Sequence, residues 1–224
     1  MKTLFNGVLL ATCLFAPAVR AADLTQLIQD VYRYNHAERI DTLAYWLPAE
    51  FWDEQWKNSP YMSDDDRRRT VKILKQYTII AVMSGRVYRS TLQPISREEI
   101  VKNLEVHQNG DLSLPLEEAE MPEELQSLLG RLKATMENTL GQTGKGFELF
   151  VVSNVNVDRR ILDPREKGVL KLQVDDVVFE WKLPLASLLL PKLDPKTGES
   201  FPGTYNYNPY TGDKLTTAAA PAAK

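Results

Sequence analysis

Cysteine is almost absent from this chain. The only one, Cys13, falls inside the first 21 residues, where Met1-Lys2 is a short basic start and Leu4 to Ala18 is mostly apolar. Val19-Arg20-Ala21 then puts modest side chains where a signal peptidase cuts. This is the layout of a secretory signal peptide, and its apolar core is too short to span a bilayer comfortably. Residues 1–21 are therefore expected to be removed, with cleavage after Ala22 nearly equivalent, and the product to be periplasmic or secreted. A mature chain without cysteine excludes disulfides, cysteine-ligated zinc and a thiol nucleophile. At about 200 residues it buries enough core to do without such staples.

Basic runs are scarce too. None exceeds Arg67-Arg68-Arg69, and removing Lys2 and Arg20 with the signal leaves 25 basic against 30 acidic residues, a net charge of −5. That balance provides no electrostatic footprint for nucleic acid. No later stretch approaches the roughly 20 apolar residues of a membrane helix. Leu10-Ala11-Thr12-Cys13 resembles the lipobox of bacterial lipoproteins, which would anchor the chain through an acyl group. Thr12 before the cysteine and the apolar Leu14-Phe15-Ala16-Pro17 after it favour a processed, soluble product over a lipid anchor at Cys13.

Catalytic spacings are missing as well. There is no Gly-x-Ser-x-Gly or Ser-x-x-Lys, and the two histidines, His36 and His107, belong to no metal-binding spacing. Gly141-Gln142-Thr143-Gly144-Lys145-Gly146 looks at first like a phosphate loop, but Thr139 and Gly146 stand where that pattern needs Gly and Ser or Thr. A helix C-cap followed by a loop explains it better. Asp64-Asp65-Asp66 points its carboxylates in different directions from a helix start, so a solvated cap is preferred over a cation site. No cofactor and no metal are expected.

What is present reads as alternating helices and strands. Leu24, Leu27, Ile28 and Val31, then Ile40, Leu43, Ala44 and Leu47, recur at helical spacing and predict two helices, or one broken near Asn35-His36, ending at Leu47-Pro48. Ser63 with Asp64-Asp65-Asp66 starts a helix to about Lys75. Tyr77 to Met83 is a strand buried on both faces, with Ser84-Gly85 a turn or bulge. Ser96-Arg97-Glu98-Glu99 caps a short helix, and Asn109-Gly110 marks a hairpin. Pro122 to Gly141 frames a long helix striped by Leu125, Leu128, Leu129, Leu132 and Met136. Phe147 to Val152 is another buried strand, and 169–183 a hairpin turning at Asp175-Asp176. The order predicts an α+β fold, a mostly antiparallel sheet with helices packed on one side, over 22–190. A β-hairpin element follows at 191–215, and a disordered tail at 216–224.

Two stretches are candidates for recognition. The segment 45–61 is rich in aromatic residues, and Trp52 and Trp56 stand one helical turn apart. Such rings hold sugars or anchor protein interfaces when exposed, and fill the core when not. The second stretch is a tandem: Asp194-Pro195-Lys196-Thr197-Gly198-Glu199 recurs fourteen residues later as Asn208-Pro209-Tyr210-Thr211-Gly212-Asp213. In each unit the Asx side chain accepts the N–H two residues on, proline presets φ, and glycine takes the left-handed position. Paired hairpin loops follow, decorated by Tyr205, Tyr207 and Tyr210.

Over about 25 residues this tandem resembles a zinc ribbon, whose knuckles read Cys-Pro-x-Cys-Gly. Asp194, Thr197, Asn208 and Thr211 occupy the four cysteine positions, with prolines and glycines retained. The resemblance implies knuckle geometry without zinc. The leading functional expectation is an exported, non-catalytic protein of binding or assembly, meeting another envelope protein or polymer through Trp52, Trp56, Tyr205, Tyr207 and Tyr210. The alternatives are an envelope hydrolase using His107 or His36, and an inhibitor that covers a toxin with an acidic surface.

Overall fold

The computed structural model describes residues 21–217 apart from Asn58, Ser90 and Asp158. The signal segment through Arg20, Cys13 with its lipobox-like surroundings, and the tail from Ala218 lie outside the described residues.

The chain runs α1 (Ala21–Val31), β1 (Tyr32–Ala37), β2 (Ile40–Trp46), α2 (Ala49–Trp56), α3 (Asp64–Leu74), β3 (Tyr77–Tyr88), β4 (Thr91–Pro94), α4 (Arg97–Val101), β5 (Leu104–Gln108) and β6 (Asp111–Ser113). It continues α5 (Glu123–Leu140), α6 (Gln142–Lys145), β7 (Glu148–Ser153), β8 (Val155–Asn156), β9 (Arg159–Arg160), β10 (Gly168–Val174) and β11 (Val177–Leu183). Three short strands, β12 (Lys192–Leu193), β13 (Ser200–Phe201) and β14 (Thr216–Thr217), end the described chain. The fold is α+β, and its strand pairings are antiparallel.

The strands divide among several sheets. The largest runs β1-β2-β3, and the far edge of β3 is shared between β7 and β4. A second sheet runs β11-β10-β5-β6. Buried Gln108 joins the two: it accepts from Thr78 Oγ1 at 2.8 Å and donates to the Ser153 carbonyl at 2.7 Å. Helix α1 is tied to the second sheet by the buried Trp181 indole, which donates to the Val31 carbonyl at 2.9 Å. One hydrophobic core fills the space between these elements, with Trp46, Phe147, Phe150 and Trp181 its largest buried rings.

Local chemistry explains several helix ends. Ser63 Oγ accepts from the Asp66 N–H, and Ser96 Oγ from the Glu99 N–H, so both serines cap as their sequences imply. Helix α5 ends at Gly141, whose φ of 58° is the left-handed conformation that favours glycine. The segment 142–145, expected as a loop, is a turn of helix, α6.

Residues 32–47 overturn the helical expectation. They form the β1–β2 hairpin, turning at Glu38-Arg39 between the Ala37↔Ile40 pair. Strand β2 lies between β1 and β3 and is buried along most of its length. A strand covered on both faces loses alternation, and its apolar spacing then imitates a helix. Ser84-Gly85 is likewise no turn but the middle of an unbroken β3. A Cβ at Gly85 would meet the Leu92 side chain at 2.8 Å and the Gln93 carbonyl at 3.0 Å, so glycine lets β4 lie close. Thr216 and Thr217, expected in the tail, pair with Leu193 and Lys192, so order extends to them.

Candidate functional site

The C-terminal module is a small sheet, β13-β12-β14, carrying the two tandem loops. Its buried hydrophobic side chains among the described residues are Phe201 and Leu215, which stand outside the main core cluster. Each tandem unit closes in the same way. Asp194 Oδ1 accepts the N–H groups of Lys196 at 2.8 Å and Thr197 at 3.2 Å; Asn208 Oδ1 accepts those of Tyr210 at 2.9 Å and Thr211 at 3.4 Å. The Gly198 N–H reaches the Asp194 carbonyl at 2.8 Å, and the Gly212 N–H reaches that of Asn208 at 2.9 Å. Thr197 and Thr211 hydroxyls accept from Glu199 and Asp213 N–H at 3.2 and 3.3 Å. Gly198 and Gly212 take φ of 73° and 76°, the conformation the turn requires. Pro195 and Pro209 hold the position after each Asx residue, where their ring presets φ.

The two units are joined head to head. Asn208 Nδ2 donates to Asp194 Oδ2 at 2.6 Å, and both side chains are buried. Across the rim, Lys196 Nζ meets Asp213 Oδ1 at 2.7 Å. Asp194 is held below the usual carboxylate range, first by the Asn208 amide, then by the Lys196 N–H. In a zinc ribbon four thiolates would converge at this point. Here an amide NH2 faces the carboxylate and occupies its free oxygen, and the remaining two positions are threonines engaged with backbone. This donor set does not fit zinc.

The tyrosines of the module are presented outward. Tyr205 is 44% exposed, Tyr207 60% and Tyr210 83%. Tyr210 nonetheless keeps one side near Phe201, with ring centroids 6.5 Å apart, and Tyr207 is held by a bridge to Lys214. Trp52 and Trp56 differ. Both are half-buried on α2, pack against the core, and lie 5.2 Å from one another, while Phe51 meets the Trp52 ring edge-on. The Trp52 indole nitrogen is buried without a hydrogen-bond partner, so its polar edge is not presented to solvent. The helix start behind them is an ion-pair lattice in which Arg67 bridges Asp53 and Asp64.

A second cluster forms where the tip of the β1–β2 hairpin meets the end of β3. Buried Asp41 accepts from His36 Nδ1 at 2.6 Å and from the Tyr34 hydroxyl at 2.9 Å. A carboxylate only accepts, so the proton sits on Nδ1 and Nε2 is left free to take another. Burial first, then the hydrogen bond to Asp41 and its charge, push the Tyr34 phenol up to about 12. Beside the histidine lies a depression of about 330 Å³ lined by His36, Glu38, Arg39, Val87, Tyr88 and Arg89. An adjoining hollow of about 500 Å³ adds Arg86 and Gln93. No serine, threonine or cysteine lines either among the described residues. His107 is placed apart, on β5, with its Nε2 at 2.9 Å from Glu105 of the same strand.

Of the residues singled out in the sequence, the structure brings Asp194 and Asn208 together, sets the Trp52 and Trp56 rings against one another at a 31° tilt, and keeps Tyr205, Tyr207 and Tyr210 on one module. It does not bring His36 and His107 together in one lining. The partner of His36 was hidden in the sequence because Asp41 lies across a hairpin turn that carries no glycine or asparagine. The chain matches no family model, no curated protein and no solved structure, so its fold and sites rest on their own geometry.

Proposed function

We propose that this is an exported, periplasmic protein that works by binding, and that the C-terminal knuckle module carries the recognition surface. The observation that supports it is the exposure of Tyr205, Tyr207 and Tyr210 on a scaffold whose loops are closed by backbone and Asx hydrogen bonds. Tyrosine offers large contact area with few rotatable bonds and a polar end, so rigidly mounted tyrosines lose little entropy on docking. The Trp52–Trp56 pair, half-buried with its rings in mutual contact, serves as support more than as contact with a partner. Export is drawn from the basic, apolar and small-residue pattern of 1–21.

The test is capture from envelope extract with tagged mature protein, run beside the Tyr207→Ala/Tyr210→Ala variant. A partner retained by the parent and lost by the variant supports the reading. Equal capture by both, or none by either under gentle conditions, contradicts it.

One observation favours a second reading, an envelope hydrolase. His36 is oriented by buried Asp41 at 2.6 Å beside a concave surface, the arrangement a general base for water needs. Hydrolysis of a phosphate- or carboxylate-ester substrate that is lost in His36→Gln with the fold intact would establish it.

A further inference from the structure

The end of the main sheet carries a feature that neither the tyrosine surface nor the knuckle uses. Two tight turns meet there: Glu38-Arg39 between the paired residues Ala37 and Ile40, and a second at Arg89 between the paired residues Tyr88 and Thr91. Loops of two residues favour Asn and Gly, because they demand positive φ. Here Glu38 and Arg89 adopt φ of 53° and 46° instead. A left-handed conformation strains an ordinary side chain, whose Cβ crowds the following carbonyl oxygen. The second turn thus keeps an arginine at a position where glycine or asparagine would fit without strain, and the first keeps Arg39 directly after its strained glutamate.

The guanidiniums are available. Arg39 and Arg89 are exposed and make no ion pair among the described residues, while Arg89 lies 5.3 Å from the centroid of the Tyr88 ring. The Val87 N–H donates to the Arg39 carbonyl at 2.7 Å, which locks the first turn against β3. Both arginines line the same depression as His36, whose Nδ1 is held by Asp41. Arg86 borders the adjoining hollow with its charge shared with Glu99. Among the described residues, Glu38 is the one carboxylate in the lining of either. In a chain of net charge −3, two unpaired arginines facing one concavity form a local positive site.

The geometry points to a binding site for a phosphoryl group, held between Arg39 and Arg89 at the depression that His36 also lines. The planar fork of arginine matches phosphate oxygens two at a time, which a scatter of lysines would not. Tyr88, 54% exposed over the rim, adds an apolar flank for whatever bears the phosphate. This site involves no residue of the knuckle module, so its failure leaves the tyrosine surface untouched. It also needs no bond cleavage, so it stands apart from hydrolysis at His36.

The experiment titrates the full chain with inorganic phosphate by calorimetry at low salt, and separately sediments it with phosphatidylcholine vesicles with and without phosphatidylglycerol. Saturable binding to either probe, weakened at least about tenfold in Arg39→Gln/Arg89→Gln, is expected. Phosphate binding without vesicle binding assigns a soluble phosphoryl ligand; vesicle binding that needs phosphatidylglycerol assigns a lipid headgroup. Circular dichroism of the variant confirms that these exposed substitutions leave the fold intact, and the single variants serve if the double one misfolds. No saturable binding to either probe, or binding undiminished in folded variants, overturns the site.

Discussion

Glu50 should be among the most costly polar residues in the chain to alter. It lies in the first turn of α2 with its side chain 1% exposed, and both its oxygens are taken by Arg160, at 2.7 and 2.9 Å. Arg165 adds a contact at 3.2 Å, and Arg160 itself also reaches Asp163 at 3.1 Å. Burial lowers the Arg160 pKa, but the bonds to Glu50 and Asp163 outweigh it and hold the guanidinium above its ordinary value. The pair spans 110 residues of sequence, so it pins α2 to the 159–165 segment. In Glu50→Gln the shape survives, but the charge goes and an amide NH2 is turned toward a guanidinium that only donates. Breaking a buried pair from one side costs about 3–5 kcal/mol. Asp163 still holds Arg160 and lets water near it, which places the cost toward the lower end, about 3 kcal/mol. At about 2–4 °C per kcal/mol for a chain of this size, the melting midpoint should fall by roughly 6–12 °C. Thermal unfolding of Glu50→Gln, Arg160→Gln and the double variant measures this, and the double should cost far less than the sum. A loss below about 1 kcal/mol in Glu50→Gln would refute the reasoning, because that is the worth of an exposed pair.

Other consequences follow from the two candidate sites. Tyr34 should ionise near 12, and Asp41→Asn, by removing the charge that opposes phenolate, should bring it down; ultraviolet titration of tyrosinate in parent and variant reads the difference. The Asp194 carboxyl is depressed by its folded partners, so its stabilising effect is fully present above the unfolded carboxylate pKa and is lost as pH falls through the folded value. Acid should therefore loosen the knuckle module, seen as loss of near-ultraviolet tyrosine signal, and Asn208→Ala should move that loss to higher pH. Finally, Asp194→Cys/Thr197→Cys/Asn208→Cys/Thr211→Cys should bind cobalt with a tetrahedral thiolate spectrum, whereas the parent should purify without stoichiometric zinc. A folded four-cysteine variant that binds no metal would show that the resemblance to knuckles ends at the turns.

Features with local causes were legible in the sequence. Ser63 and Ser96 cap because the hydroxyl reaches an N–H three residues on, and Asn109-Gly110 turns because both residues accept positive φ. The tandem was legible for the same reason, down to which side-chain oxygens close which loops. The bond between Asp194 and Asn208 was not, because it depends on how two loops face one another. The β1–β2 hairpin was misread since Glu38-Arg39 carries no turn residue and β2, covered on both faces, shows no alternation. Helical spacing over residues 40–47 separates His36 from Asp41 and Arg39 from Arg89; only the strand pairing brings each pair to one end of a sheet.

The claim that matters most is that the tyrosine face of the knuckle module meets a partner. Photo-crosslinking residues placed singly at Tyr207 and Tyr210, with an exposed control at Lys102 on the main body, test it in intact cells exporting the protein. The account predicts a discrete adduct of the same mass from positions 207 and 210 and none from 102. No adduct at either tyrosine, or the same adduct from all three positions, would contradict it.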